Sequence, residues 1–291
     1  MEEPQIHPVK KRYLALYFAL TIPLAWLFWI PMILINRGLW TPPLPIPTLV
    51  WSTLGAASPL VALAIIERAS RKQVQLDTIF ENIRLKEWRS RWMVISAVFA
   101  TVVNLILTLL YFGVETLRGT DPGPVQLFQP EVFAELGWFV LLTIPLQFFT
   151  ALITSPLLEE PGWRGFAFEH LQRYLPRDVA SLIVGSYWWL WHQGMNLAFD
   201  LHPSLYGYLS MLLDSWSIDA VYTLSGRNVL AAMLAHQAMG TVFTFLFPLP
   251  ELWYLLLGKG LLVASLRYQV YRQAKPSQRV DSGESNDVLG D

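Results

Sequence analysis

Residues 136–164 read LGWFVLLTIPLQFFTALITSPLLEEPGWR. An uncharged, mostly apolar run from 136 to 158 stops at the acidic pair Glu159-Glu160. A helix that spans a bilayer needs roughly 20 such residues, so this run predicts a transmembrane helix that ends in two carboxyl groups. Ionisable side chains at membrane depth are costly and mark functional sites by default. The stretch thus points to the fold class, all-α and membrane-embedded, and to the place where chemistry is to be sought.

Further runs of the same kind lie on both sides, at 13–35, 46–66, 92–114, 179–199, 205–224, 229–247 and 251–266. The last three are separated by short connections, and they carry Asp214, Asp219 and Lys259. The composition agrees with a polytopic bundle: 15% of residues are charged, against about 25% in soluble domains. Thirteen tryptophans and eleven tyrosines suit aromatic belts at the two membrane interfaces. A net charge of −1 provides no basic field for nucleic acid. The absence of cysteine removes disulfides, thiolate metal sites and a cysteine nucleophile. Lys10, Lys11 and Arg12 precede the first run, but that run is longer than the ~7–15 residues of a signal-peptide core and no small-residue cleavage site follows. It is read as a first membrane helix.

Basic residues fall in alternate connections. The second holds Arg68, Arg71, Lys72, Arg84, Lys86, Arg89 and Arg91; the fourth holds Arg164, Arg173 and Arg177; the sixth holds Arg227. After the last run come Arg267, Arg272, Lys275 and Arg279. The connection 115–135 is acidic, with only Arg118. Because positive charge stays inside, about eight spans with both termini cytoplasmic are expected. Residues 1–12 are then a cytoplasmic segment, 13–135 N-terminal helices and connections, 136–267 the core, and 268–291 a cytoplasmic, disordered tail. Within 68–91, Ile79, Ile83 and Trp88 could lie in the membrane interface beneath the basic residues; a solvated connecting helix is the alternative.

Pro161 disfavours helical geometry at Glu160 and lacks an N–H, so a helix is expected to break or restart there, at the cytoplasmic mouth of the bundle. Glu160 and Arg164, four apart in the favourable order, can pair on a helix face. A lone Glu-Glu pair is more often an interfacial staple than a catalyst. His192, in the aromatic run 184–193, and His236, among Ala231, Ala232 and Ala235, would singly read as satisfied core residues. Together, two carboxyls and two imidazoles on three helices are what is needed to activate a water in a dry site. Two imidazoles and a carboxylate can hold zinc, with the second carboxylate as base. Without a metal, a glutamate could deprotonate water with help from histidine. The sequence leaves both routes open.

Glu159-Glu160-Pro161-Gly162-Trp163-Arg164-Gly165-Phe166 resembles the first motif of the CAAX-processing and bacteriocin-processing intramembrane peptidases, the type II CAAX endopeptidase or Rce1-like group. Trp188-x-x-x-His192 resembles its second motif, and His236 lies where the third motif's histidine would be. The resemblance covers about 156–247. It implies an eight-helix bundle with a conical catalytic cavity open to the cytoplasmic side, in a bacterial plasma membrane, and cleavage of a membrane-associated protein or lipidated peptide. It also implies roles: Glu159 as the water-activating residue, Glu160 as its partner, Arg164 as the residue that orients the pair, and His192 and His236 as catalytic. A zinc ion on Glu159, His192 and His236 is one form of that implication. Where the third motif carries a polar residue, often Asn, four positions after the histidine, this chain has Gly240. Asn196, one turn after His192, is an alternative oxyanion donor. Gly240 also keeps open a non-catalytic member that serves as an immunity or scaffold protein. Asp214, Asp219 and Lys259 would suit a transporter, but the matching halves expected of one are not seen; helix packing or cavity lining is the plainer reading of the two aspartates.

Overall fold

A computed structural model describes residues 10–44, 46–71, 74–85 and 91–274. Among them the chain is helical and holds no strand, only one isolated antiparallel bridge between Phe128 and Leu246. In chain order the helices are α1 (Lys11–Asn36), α2 (Thr48–Ala56), α3 (Ser58–Ala69), α4 (Leu76–Glu81), α5 (Arg91–Leu117), α6 (Pro130–Leu136), α7 (Val140–Thr154), α8 (Pro156–Glu160), α9 (Glu169–Leu171), α10 (Arg177–Ala198), α11 (Leu205–Leu224), α12 (Val229–Phe245) and α13 (Trp253–Ala274). A single 3₁₀ turn joins α6 to α7, and a π-helix, Pro161–Phe168, joins α8 to α9.

Among the described residues, three helical elements are long and apolar enough to cross a membrane: α1, α5 and the composite 130–171; the pair α2–α3, bent by 40°, makes a fourth if it is one span. The runs at 179–199, 205–224, 229–247 and 251–266 coincide with α10 to α13. Of these, α10, α11 and α13 are less apolar than α1 and α5 and carry polar residues of the interior such as the buried His192, Asp219 and Arg267, whereas α12, which carries the buried His236, is as apolar but only 17 residues long. The outer helices present unpartnered apolar rows instead: Leu142, Leu146, Phe149 and Ile153 on α7, and Val94, Val98, Val102 and Ile106 on α5, all exposed. Contiguous apolar surface of that extent fits contact with lipid.

Local sequence explains the starts of the inner helices. Proline occupies the first turn of α3, α6 and α8, where its missing N–H costs nothing. Ser204 caps α11 by accepting from the Gly207 N–H at 2.9 Å. Asn228 caps α12 by accepting from the Leu230 N–H at 3.0 Å, and its carboxamide also bonds the backbone of Arg84 on both sides, each at 3.1 Å. The α3–α5 connection is thereby fastened to the start of α12. Ile79 on α4 is buried in the main core, so it packs inward on protein and faces neither the membrane interface nor solvent, the two readings that the sequence left open. Trp88 and the segment 275–291 lie outside the described residues. Helix α13 continues to Ala274, past the expected boundary at 267.

The helix does not break at Pro161. Glu160 keeps right-handed helical angles (φ −66°, ψ −32°) and the chain runs on as a π-helix. The irregular residue is Ser155 (φ −133°, ψ −70°), between α7 and α8. A proline ring clashes with the carbonyl one α-turn earlier; the wider π turn is a known way to absorb such an irregularity, and π segments cluster at functional sites. Two glycines let this segment pack closely. A Cβ on Gly162 would lie 2.8 Å from Pro59 Cβ, and one on Gly165 would lie 2.7 Å from Ile79 Cγ2.

Candidate active site

The expected residues meet in the interior. Glu159, Glu160 and Arg164 are 2%, 0% and 0% exposed, so the acidic pair is enclosed by the bundle and does not stand at an open mouth. His192 and His236 are also buried. At such sites a charge needs a partner and a full set of hydrogen bonds.

Arg164 meets that requirement in three directions. Its Nη1 donates to both carboxylate oxygens of Glu160, at 3.1 Å each, its Nε donates to Asp219 Oδ1 at 3.0 Å, and its Nη2 donates to Ser215 Oγ at 2.7 Å and to the Ser215 carbonyl at 3.3 Å. The fixed fork of the guanidinium suits such a set. Glu160 Oε1 also lies 2.6 Å from His236 Nδ1. The π segment, α11 and α12 are thus joined through two side chains.

Glu159 is held separately. The Ser155 hydroxyl donates to Oε1 at 2.7 Å and the Trp188 indole N–H donates to Oε2 at 3.1 Å. A carboxylate has about four acceptor sites, so capacity remains for a further donor such as water. Trp188 is the hub of the cluster. Its ring lies 4.8 Å from the His192 ring and 5.1 Å from the His236 ring, both edge-on, and 5.3 Å from the Arg164 guanidinium. His192 Nδ1 lies 2.8 Å from the Trp188 carbonyl. A carbonyl can only accept, so Nδ1 carries the proton and Nε2 is left for other groups. Behind this layer, Trp191 donates to Ser58 Oγ at 2.9 Å and stacks edge-on with Trp29, tying α10 to α3 and α1.

Sequence spacing marks neither Asp219, Ser215 nor Ser155 as a site residue, and it marks Trp188 only by its distance from His192. Nothing local marks them. The Arg164–Asp219 bond joins residues 55 apart in sequence, and Trp188–Glu159 joins residues 29 apart. Asn196 is half-buried, and among the described residues its side chain makes none of the bonds that join the cluster. Next to His236, Gln237 donates to Gln147 Oε1 at 3.3 Å, a polar tie from α12 to α7. A Cβ at Gly240 would have only this Gln237 carboxamide within 4 Å, at 3.7 and 3.9 Å.

The donor chemistry of Glu159, His192 and His236 suits a zinc ion. Among the described residues, however, no three His, Asp or Glu side chains are grouped so as to hold a metal, and no chemical step is assigned to one below. Asp214 and Lys259 form a separate pair at 2.8 Å, with Ser210 accepting a second bond from the ammonium. This pair lines a cavity of about 650 Å³ among α5, α11, α12 and α13, and none of Glu159, Glu160, Arg164, His192 or His236 lines it.

Comparison with known proteins falls on the same residues. Residues 138–242 match the family model of the Rce1-like type II CAAX prenyl endopeptidases. A CAAX prenyl protease 2 from Methanococcus maripaludis is 28% identical over 137 residues, which is 46% of this chain and 45% of that protein's length. The matched segment contains the acidic pair, Arg164, both histidines and Asp219. Over residues 138–242 the chain is thus similar to the Rce1-like type II CAAX prenyl endopeptidases, and it spans less than half the length of the curated relative it matches.

Proposed function

We propose that the chain is an intramembrane endopeptidase that hydrolyses a peptide bond near the C-terminus of a prenylated, membrane-associated protein. The observation that carries this reading is the buried network in which Glu159 is fixed by Ser155 and Trp188 while Glu160 is fixed by Arg164 and His236. Two carboxylates held this differently, side by side, suit two tasks.

In this reading Glu159 takes a proton from a water bound at its free acceptor positions, and the water oxygen attacks the scissile carbonyl carbon. General-base catalysis of this kind contributes about 10²–10⁴-fold. The C–N bond then breaks, and the proton passes from Glu159 to the leaving amine. Glu160 holds the His236 ring in place through Nδ1; with that ring as imidazolium beside the carboxylate, its Nε2–H donates to the carbonyl oxygen as charge develops there, while His192 Nε2, without a proton because Nδ1 carries it, accepts from the attacking water and orients it. Enclosure by the bundle excludes bulk water, which strengthens each of these interactions. The exposed apolar rows of α5 and α7 keep the protein in the bilayer, where a lipid-anchored substrate also resides. From the alternation of basic connections, the bundle has eight crossings with both termini cytoplasmic.

The test compares protein C-termini in membranes from cells that carry the wild-type chain and cells that carry Glu159→Gln at matched abundance. Termini that shorten only with the wild type support the reading and name substrates. Identical termini, with the protein folded and abundant in both, would overturn it.

A further inference from the structure

We propose that Asp219, supported by Ser215, is a positioning residue that fixes the active-site imidazole of His236 from the far side of the Arg164 guanidinium. The inference deepens the peptidase reading, and its kinetic arm rests on that reading. Its structural arm does not.

Four groups run in series: Asp219, Arg164, Glu160, His236. Each link is a hydrogen bond between charged or ionisable groups, at 3.0, 3.1 and 2.6 Å. Asp219 is 1% exposed, Ser215 0% and Arg164 0%. An arginine side chain carries about 2 kcal/mol of rotamer entropy, so Glu160 alone would not hold its fork in a single pose. With Nε on Asp219 and Nη2 on Ser215, the plane of the guanidinium is set by α11, and Nη1 can only face Glu160. Glu160 then faces His236 Nδ1, which directs Nε2 away from the carboxylate. The same guanidinium lies against the Trp188 ring, and Trp188 donates to Glu159. The clamp therefore bears on both carboxylates: on Glu160 by a bond, and on Glu159 through the indole.

Asp214 provides the control. It lies on the same helix, five residues before Asp219, and pairs with Lys259 instead. A general packing role for α11 acids would make Asp214 and Asp219 equivalent. A positioning role for Asp219 separates them.

The experiment uses the full-length protein in lipid nanodiscs, in the Glu159→Gln background, with nitrogen-15-labelled histidine. The His236 ring signals are assigned by their loss in His236→Gln. The wild-type pattern should be that of a ring with a hydrogen-bonded Nδ1. Asp219→Leu should shift or broaden the His236 signals, whereas Asp214→Asn should leave them in place. Ser215→Ala removes a single hydroxyl and should produce part of the same shift; it carries the test if Asp219→Leu fails to fold. With Glu159 restored, Asp219→Leu should lower kcat by about 100-fold, the cost of a ~1 Å misplacement, with KM unchanged. Asp219→Asn, which keeps the acceptor oxygen and the volume, should recover most of that loss. His236 signals that do not move in folded Asp219→Leu or in Ser215→Ala, or that move equally in Asp214→Asn, would overturn the inference. If the signals move as expected but no form of the protein cleaves a prenylated peptide, the peptidase reading falls and the positioning role stands.

Discussion

Helix α11 carries two ion pairs of different kinds. Asp219 and Ser215 hold Arg164 in a fully enclosed network that reaches Glu160 and His236. Asp214 holds Lys259 at the wall of a cavity, with side chains 27% and 16% exposed. The first pair links the π segment, α11 and α12, and every guanidinium nitrogen has an acceptor. The second joins α11 to α13 and ends there. Charge at membrane depth is therefore not a sufficient sign of a reacting site. What distinguishes the site is that its charges are connected, through shared partners, to groups with acceptor or donor capacity to spare.

Mutations can break that comparison in order of size. Arg164→Met should have the largest effect, because it leaves Glu160 and Asp219 buried without their shared cation; loss of one partner of a buried pair costs about 3–5 kcal/mol. Unfolding by a denaturing detergent, followed by circular dichroism, would show a large loss of stability together with loss of turnover. Glu159→Gln should differ in kind: turnover should fall by about 10²–10⁴-fold, while the same unfolding curve stays near that of the wild type, since the Gln oxygen can accept from the Trp188 indole and its amide N–H can donate to the Ser155 hydroxyl. Trp188→Phe removes a single N–H donor to Glu159 and should reduce kcat by roughly ten-fold, in line with about 1–1.5 kcal/mol for a hydrogen bond, with little change in KM. Lys259→Met should be milder still, about 0.6–1.7 kcal/mol of stability as for membrane polar contacts generally, with turnover unchanged. An equal loss of activity in Lys259→Met and Arg164→Met would erase the distinction between the two pairs.

The smallest effect concerns Gly240. Alanine is favoured over glycine within a helix by about 0.8–1 kcal/mol, and a Cβ there would meet only the Gln237 carboxamide at ordinary contact distance. Gly240→Ala should raise the unfolding midpoint slightly. A clear loss of activity in that variant would show that the space beside Gln237 is used by substrate or water.

Much of this was legible in the sequence, for definite reasons. The run 136–158 announces a membrane helix because its hydropathy is unbroken, and Glu159-Glu160 announces a site because acids rarely lie at the end of such a run. The Glu160–Arg164 pair follows from a four-residue spacing. The partners of that pair did not follow, because Asp219 and Ser215 reach Arg164 from another helix, and their spacing carries no local signal. Local rules also misled at two points. The rule that proline breaks a helix did not foresee a π turn, whose Gly162 and Gly165 let it pack closely on Pro59 and Ile79. Amphipathic spacing on 68–91 could not tell the membrane interface from the protein core, and Ile79 chose the core.

The most direct test of the central claim uses the purified full-length protein in liposomes with a synthetic peptide prenylated near its C-terminus, in water enriched in oxygen-18. The account expects a shortened peptide whose new carboxyl group carries one solvent oxygen, formed about 100-fold or more slowly with Glu159→Gln. No product from the wild-type protein, or equal product from Glu159→Gln, would contradict it.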